Sequence, residues 1–572
     1  MNSLHQLLIA VLILGTSACA DLDELLENPN AVTPDRANAA ALYNSAQIEF
    51  NDVQNDPFFF TSGLVRMTAE TGGFVYQETH SPSEFDDMWQ DFYAQFLPDA
   101  DAFIVLGEAT GEEAAAASMK IMKAYLLMQF VDLFNDVPYS EANLGASDDR
   151  ILNPVDDDAA DVYAAAVDLL DEALIQLEDA DNFADLRFDN FYGGTADDWA
   201  ALARTLKLRA AVTTRLVNPV DVGSIVASGD LIDENSENFE YKYGNNRINP
   251  DNRHPLYADS YEENDGAYLS NWLMWLMTES KDIVDPRTRY YFFRQATNVF
   301  PAIVNRDPNA FDCIFTDLPT QDLMPAHYEA ISDDMPYCLG SYELSYFGRD
   351  HLNGSGVPPD GQYRTVFGLY PAGGRFDDGF SNELVQNLGT DGARGEGIEP
   401  IWQASFTHFI LAESALTGNY NDGDAKALLR KGIELSMERV RASESLVNTG
   451  EVVATVPQTV TVGNTFPTDS TFAEYVDYVM EEYDAASAED RLGIVAREYF
   501  IALWGNGLEA YNLYRRTCLP ADLQPGIDPN YGEFIRSALY PFVHVNRNQN
   551  ATQKSGITVP VFWDTNDASC NY

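Results

Sequence analysis

Between residues 119 and 134 nearly every position is apolar, where a surface helix would keep a broad polar face. The stretch predicts a buried helix, central to its domain, that stops at Asn135-Asp136-Val137-Pro138, because the residue before a proline is pushed out of the α region. Lys120 and Lys123 stand three apart on one stripe of it. Upstream, over about 85–106, Trp89, Tyr93, Phe96, Leu97 and Phe103 fall mostly at three- and four-residue steps. That spacing predicts a helix antiparallel to the buried one across the turn 107–111. Downstream, 157–177 carries Val162, Ala166, Leu169, Leu170, Ala173, Leu174 and Leu177 on one stripe, with acidic residues elsewhere.

Capping signals place further helices. Thr33-Pro34-Asp35 sets a capping residue before a proline at a first helical position, predicting a helix over about 35–50. The aromatic, glycine-bearing stretch 51–86 reads as a loop or short helical excursion. Thr195-Ala196-Asp197-Asp198 resembles a capping box with Asp in place of Glu, opening a helix through Trp199, Leu202, Leu206 and Val212. Its Arg204, Lys207, Arg209 and Arg215 read as partners for acidic neighbours and for the C-terminal end of the helix dipole. From 402 to 440 the pattern is helix, turn, helix with its corner at 418–424. A last pair follows at 472–483 and 489–514.

The sum is a mainly α chain of about four helical hairpins, each the size of a tetratricopeptide unit without its consensus. The gap 217–400, rich in Asn, Asp, Gly, Pro and Tyr, predicts a large loop-rich insertion of short helices and strands.

Charge removes classes of partner. Ninety Asp and Glu against 34 Lys and Arg give a formal charge of −56, which argues against nucleic acid and against an anionic membrane face. With 45% hydrophobic residues the chain still buries a core. The first residues have the layout of a secretory signal, with an apolar run over 7–14 too short to span a bilayer. Gly15-Thr16-Ser17-Ala18-Cys19 resembles a lipobox, predicting removal of residues 1–18 and a lipid on Cys19. Four further cysteines, Cys313, Cys338, Cys518 and Cys570, suit two disulfides in an exported chain. Of three connectivities, Cys313 with Cys338 and Cys518 with Cys570 each close a local, loop-rich segment.

No HExxH, phosphate-cradle or nucleophile-elbow motif occurs, and 392–397 is a poor match to a dinucleotide loop. The corner 419–424 lacks EF-hand spacing, so no metal or cofactor is expected. What remains is recognition. A sugar offers apolar C–H faces and hydroxyls, so its site needs aromatic platforms flanked by amide, carboxylate or Arg groups. The insertion supplies Tyr257, Tyr261, Tyr268, Trp272 and Trp275 with Arg253, His254 and Asn271, and Tyr76 and His80 lie in the early loop. Three-residue spacing also suits Trp272 and Trp275 to a helix core, which leaves Tyr257 and Tyr261 as the better platforms.

Several stretches together resemble the SusD/RagB-like family: Asn28-Pro29-Asn30, residues 132–142, residues 199–215, Asp285-Pro286-Arg287, residues 402–437, and residues 497–520 with Tyr514-Arg515-Arg516. Asp21, Asp23 and Glu24 after Cys19 also look like the surface-export signal of lipoproteins in the same bacteria. The resemblance implies a tetratricopeptide-like scaffold and a lipid-anchored, cell-surface nutrient-binding protein of the outer membrane. It implies non-enzymatic capture of oligosaccharides for a TonB-dependent, SusC-like transporter. The expected organisation is signal peptide 1–18, lipidated linker 19–34, N-terminal hairpins 35–216, insertion with the ligand site 217–400, and C-terminal hairpins and tail 401–572. Peptide capture, as in RagB-like members, is the alternative. A surface glycoside hydrolase would need a positioned pair of carboxylates that no motif indicates, and a purely structural role would need no ligand.

Overall fold

The computed structural model describes residues 39–145, 150–179, 189–262, 268–296, 324–355, 363–379, 389–447, 449–450, 452–454, 459–566 and 570. Cys19, Asn28-Pro29-Asn30, the Thr33-Pro34-Asp35 cap and Cys313 lie outside these residues.

Helix α1 spans Ala39–Asn55, running past the predicted end at residue 50, and α2 (Phe58–Leu64) follows. A helical path then leads through Asp86–Gln90 and a π-helical turn at Asp91–Phe96 into α3 (Leu97–Thr110). Pro98 accounts for the wide turn, since it has no N–H to donate and its ring would press on the carbonyl one turn back. Gly111, at φ +82°, closes α3 and turns the chain into α4 (Glu113–Phe134).

Helix α4 is the centre of the N-terminal half. All its residues are buried except Glu113 and Lys123. Lys120 leaves the core to meet Glu108 and Glu172 at 2.9 and 3.0 Å, and Lys123 meets Asp101 at 2.6 Å. The helix stops at Asn135, whose φ of 69° breaks the α path before Pro138 acts. Its main neighbour is α5 (Ala159–Asp179), on which α6 (Ala196–Thr213) also packs.

The expected capping box at α6 does not form. Thr195 Oγ1 donates to the Tyr192 carbonyl, and the loop before the helix is gathered instead by Asp189. Its carboxylate accepts from the backbone N–H groups of Phe191, Tyr192 and Gly194 and from Trp199 Nε1.

Between residues 217 and 400 the described chain forms short helices, including α7 (Asn271–Thr278), and the strands β1 (Phe239–Lys242), β2 (Phe292–Arg294), β3 (Thr365–Phe367) and β4 (Ile398–Trp402). β1 pairs antiparallel with β4 and β2 with β3. The C-terminal half holds α8 (Ala404–Thr417) and α9 (Ala425–Ala442), the small antiparallel ladder of β5 (Val452–Ala454) and β6 (Thr459–Thr461), then α10 (Asp469–Ala485), α11 (Arg491–Ala502) and α12 (Gly507–Thr517). Gly418 at φ +81° ends α8, and the Asp424 carboxylate caps α9 by accepting from Lys426 N and Ala427 N. The acidic corner is thus a helix junction.

The predicted helix 489–514 is two helices. Gly505, at φ +100°, lies so close to Pro371 and Pro400 that a Cβ would come within 2.9 Å of both rings. Asn506 then opens α12 by accepting from Glu509 N. The break lets α12 dock on α2, where a Cβ on Gly507 would stand 2.5 Å from Thr61 Oγ1.

Cys518 and Cys570 are joined by a disulfide that ties the C-terminal tail to the end of α12 across 52 residues. Cys338 is also disulfide-bonded. By loop closure, the Cys518→Ser/Cys570→Ser variant is expected to lose about 4 kcal/mol of unfolding free energy. Urea unfolding at matched pH measures it, and an unchanged midpoint would show that the tail is held by its other contacts alone.

Candidate functional site

The residues that carried the family resemblance form the scaffold. Asp132 Oδ2 accepts from Arg209 Nη2 at 2.7 Å and from Asn512 Nδ2 at 2.9 Å, while its Oδ1 accepts from Trp563 Nε1 at 2.9 Å. Asn135 Oδ1 accepts from Phe562 N, and Tyr540 donates to the Asp136 carbonyl. The end of α4 is thereby clamped to the C-terminal tail. Arg287 sits between Asp285 at 2.6 Å and Glu498 at 3.0 Å, and Arg516 and Arg215 share Glu413 at 2.9 and 2.8 Å. Of the predicted basic group on α6, Arg209 and Arg215 are spent in these pairs, Lys207 meets Asp171, and Arg204 donates to the Asp230 carbonyl. Buried carboxylates so fully committed hold the fold.

The predicted platforms lie in the core. Tyr257 and Tyr261, expected to be open in polar loops, are completely buried and stacked on one another with centroids 4.7 Å apart. Their hydroxyls donate to the carbonyls of Asp391 and Phe367. Burial follows from the loop 391–397, which wraps them so closely that a Cβ on Gly395 would lie 2.7 Å from the Arg253 side chain. Arg253 is held by Asp251 and Glu262 over the Tyr257 ring.

His254 is a structural cap. Its Nδ1 accepts from Leu256 N and its Nε2 faces the Ile398 carbonyl at 3.1 Å, and burial pushes its pKa down to about 3. Glu399 lies 3.7 Å from the same ring, and burial pushes its carboxyl up to about 8. The two are neutral neighbours at pH 7, so the approach is no ion pair.

Trp272 and Trp275 pack in the core as their spacing allowed, with Trp272 Nε1 donating to the Asp522 carbonyl. Asn271 bridges Gly348 N and Asp350 Oδ1. Tyr268 lies under the Arg349 guanidinium at 4.2 Å. Tyr76 is fully buried, with its hydroxyl 2.9 Å from His351 Nε2, and His80 is held between Glu84 and Glu70 on the edge of Phe60. None of the ten residues offers an open ring face in this structure.

Phe74 is 40% exposed, as open as Phe59 at 40% and Phe542 at 44% among the described residues. It belongs to the same early loop as Tyr76, whose buried ring anchors that loop. Three segments meet there. Tyr76 N donates to the Tyr531 carbonyl, Gln77 lies against Gly532, and the backbone of Gly354 approaches Gly73 so closely that a Cβ would stand 2.8 Å from its carbonyl carbon. Exposed Phe74, Gln77, Glu78, Ser355 and Asn530 give this shelf one apolar face edged by hydroxyl, amide and carboxylate groups. Sequence reasoning noted the stretch but could not tell which ring faced solvent.

A family model described as starch-binding associating with outer membrane matches residues 29–302, and one described as Susd and RagB outer membrane lipoprotein matches residues 396–556. Among solved structures, a chitin-binding protein is 18% identical with a TM-score of 0.64, over 92% of this chain and 100% of its own. A SusD homologue from Bacteroides fragilis is 16% identical with a TM-score of 0.63, over 93% and 100%. A chitin-binding SusD homologue from Flavobacterium johnsoniae is 16% identical with a TM-score of 0.59, over 92% and 99%. At these identities the structural likeness establishes the fold. No curated protein matches significantly.

Proposed function

Since this chain belongs to the SusD/RagB-like family of nutrient-binding outer-membrane lipoproteins, we propose that it captures neutral oligosaccharides without chemically altering them. The Phe74 shelf is the contact surface in this reading. The observation that carries it is an exposed aromatic face edged by polar groups at the place where three segments of the chain meet. A pyranose stacks its C–H face on such a ring and gives its hydroxyls to the flanking amides and carboxylates. The chitin-binding descriptions of two structural neighbours support a glycan over a peptide. A strongly acidic surface disfavours anionic glycans. The shelf takes one loop from each of the N-terminal, inserted and C-terminal regions, so the ligand site extends beyond the insertion 217–400.

Calorimetric titration against a glycan panel tests this. Phe74→Ala is expected to weaken binding of the recognised sugar about tenfold, the loss of one stacking contact. Unchanged affinity would move the site elsewhere, and response to oligopeptides alone would replace the ligand class.

The delivery step rests on the anchor. Lipid on Cys19 holds the protein to one leaflet, and no helix among the described residues is long and apolar enough to cross a membrane. A separate channel must therefore move the ligand, and a TonB-dependent, SusC-like barrel closed by this protein fits that need. Affinity purification from detergent-solubilised outer membranes is expected to recover such a barrel in stoichiometric amount. Recovery of the lipoprotein alone, where other such complexes survive, would remove the support for this arrangement.

A further inference from the structure

Behind the Phe74 loop lies a buried positive charge that forms no ion pair among the described residues. Arg66 is wholly buried at φ 65°. Its Nε donates to the Gln524 carbonyl at 2.8 Å and its Nη1 to the Leu64 carbonyl, while Nη2 has no hydrogen-bond partner of good geometry among the described residues and the guanidinium also acts on the Tyr76 hydroxyl. Arg209 and Arg287, the other arginines buried as completely, each have two carboxylates within 3.0 Å. Arg66 forms no ion pair among the described residues. A guanidinium taken out of water without an opposite charge costs several kcal/mol.

Two neighbours share the deficit. His351 Nδ1 and the Tyr328 hydroxyl are buried and also lack a hydrogen-bond partner among the described residues. Asp350 and Arg66 act electrostatically on Tyr328 in opposite senses, Asp350 the more strongly, and burial together with Arg66 holds the His351 imidazole neutral. When the Tyr76 hydroxyl donates to His351 Nε2, the ring proton sits on Nδ1, which is then a donor. Gln524 fixes the arrangement. Its carbonyl takes Arg66 Nε, its Oε1 accepts from His351 N, and its Nε2 is tied to the Pro336 carbonyl and Asp350 Oδ1. Asp350 spends its carboxylate on Asn271, Gln524 and the Cys338 N–H.

We infer that Arg66 Nη2, His351 Nδ1 and the Tyr328 hydroxyl hold one small monovalent anion, with chloride the natural occupant. Three donors and a guanidinium with no ion pair among the described residues match such an ion. A water molecule could accept only two of the three hydrogen bonds and would carry no charge to set against the guanidinium. The ion would cement the loops under the shelf without itself contacting an outside ligand.

The test uses the mature full-length protein. Its melting temperature is followed in sodium chloride, sodium bromide and sodium gluconate at equal ionic strength, and crystals grown in bromide are measured at the bromine absorption edge. The expected result is a saturable rise in melting temperature with either halide but not with gluconate, and an anomalous peak in contact with Arg66 Nη2. Tyr328→Phe should raise the halide concentration at half-effect several-fold, and Arg66→Met should abolish the effect. If Arg66→Met does not fold, Tyr328→Phe carries the test. Equal melting in all three salts, or a site holding only water in the bromide crystals, overturns the inference.

Discussion

Replacing Asp132 by Ala is expected to lower the free energy of unfolding by about 3–5 kcal/mol, the range for breaking a buried charge pair by removing one partner. The side chain has no exposed surface and accepts from Arg209, Asn512 and Trp563, which come from α6, α12 and the C-terminal tail. Its backbone carbonyl also accepts from Arg515 Nη2 at 2.7 Å. Truncation leaves the Trp563 N–H without its acceptor and Arg209 with Glu509 alone, 2.6 Å away. Asp132→Asn keeps the shape and one acceptor and should fall between the two. Urea unfolding followed by tryptophan fluorescence measures both, and a loss below about 1 kcal/mol for the alanine variant would mean that the clamp is not held by charge. Glycan affinity of the folded fraction should stay unchanged, because no part of the shelf touches this network.

Glu399→Gln is expected to stabilise the protein in alkali. Burial raises the Glu399 carboxyl from its ordinary 4.5 to about 8, with Gln54 pulling weakly the other way. Between these values the folded chain keeps a proton that the unfolded chain releases. Stability from this group is therefore complete below pH 4.5, falls as pH rises towards 8, and is fully lost above it. The loss is on the order of 5 kcal/mol. The substituted amide carries no such proton, so the variant should match the parent near pH 4.5 and exceed it increasingly up to pH 8. The neighbouring His254, with its pKa depressed to about 3, works in the opposite sense and in a window that overlaps this one between pH 4.5 and 6.5, costing stability as pH falls from 6.5 towards 3. Urea midpoints at about pH 5, 7 and 9 decide the matter. Parallel pH profiles for parent and variant would show that Glu399 is ionised in the fold.

These two sites explain why family membership was readable where ligand contacts were not. Asp132, Asp285, Arg287, Arg515 and Arg516 belong to the stretches that carried the resemblance, and each is buried in a polar network with few chemical substitutes. A buried guanidinium needs its carboxylate at a fixed place, which writes a recognisable word into the chain. An exposed ring such as Phe74 needs only to face outward, and that leaves no such word.

The periodicity of apolar positions determined the helices and most of their pairing. The 113–134 helix, the 404–442 hairpin with its Gly418 and Asp424 corner, and the amphipathic 159–179 helix all lie where the pattern put them. Gly418 and Asp424 act through backbone conformation and local hydrogen bonds, and such effects are contained within a few residues. Tertiary structure decided the rest. Gly505-Asn506-Gly507 interrupts the apolar pattern of 491–517, and the close approach of Pro371 and Pro400 to Gly505 adds to its positive φ and the Asn506 cap in dividing the stretch into two helices. Likewise Tyr257 and Tyr261 sit among polar neighbours, which suggests exposure, until a loop more than 130 residues away covers them and accepts the Tyr257 hydroxyl proton at Asp391. Which ring stays in water is settled by what the distant chain folds over it, a quantity that no local spacing contains.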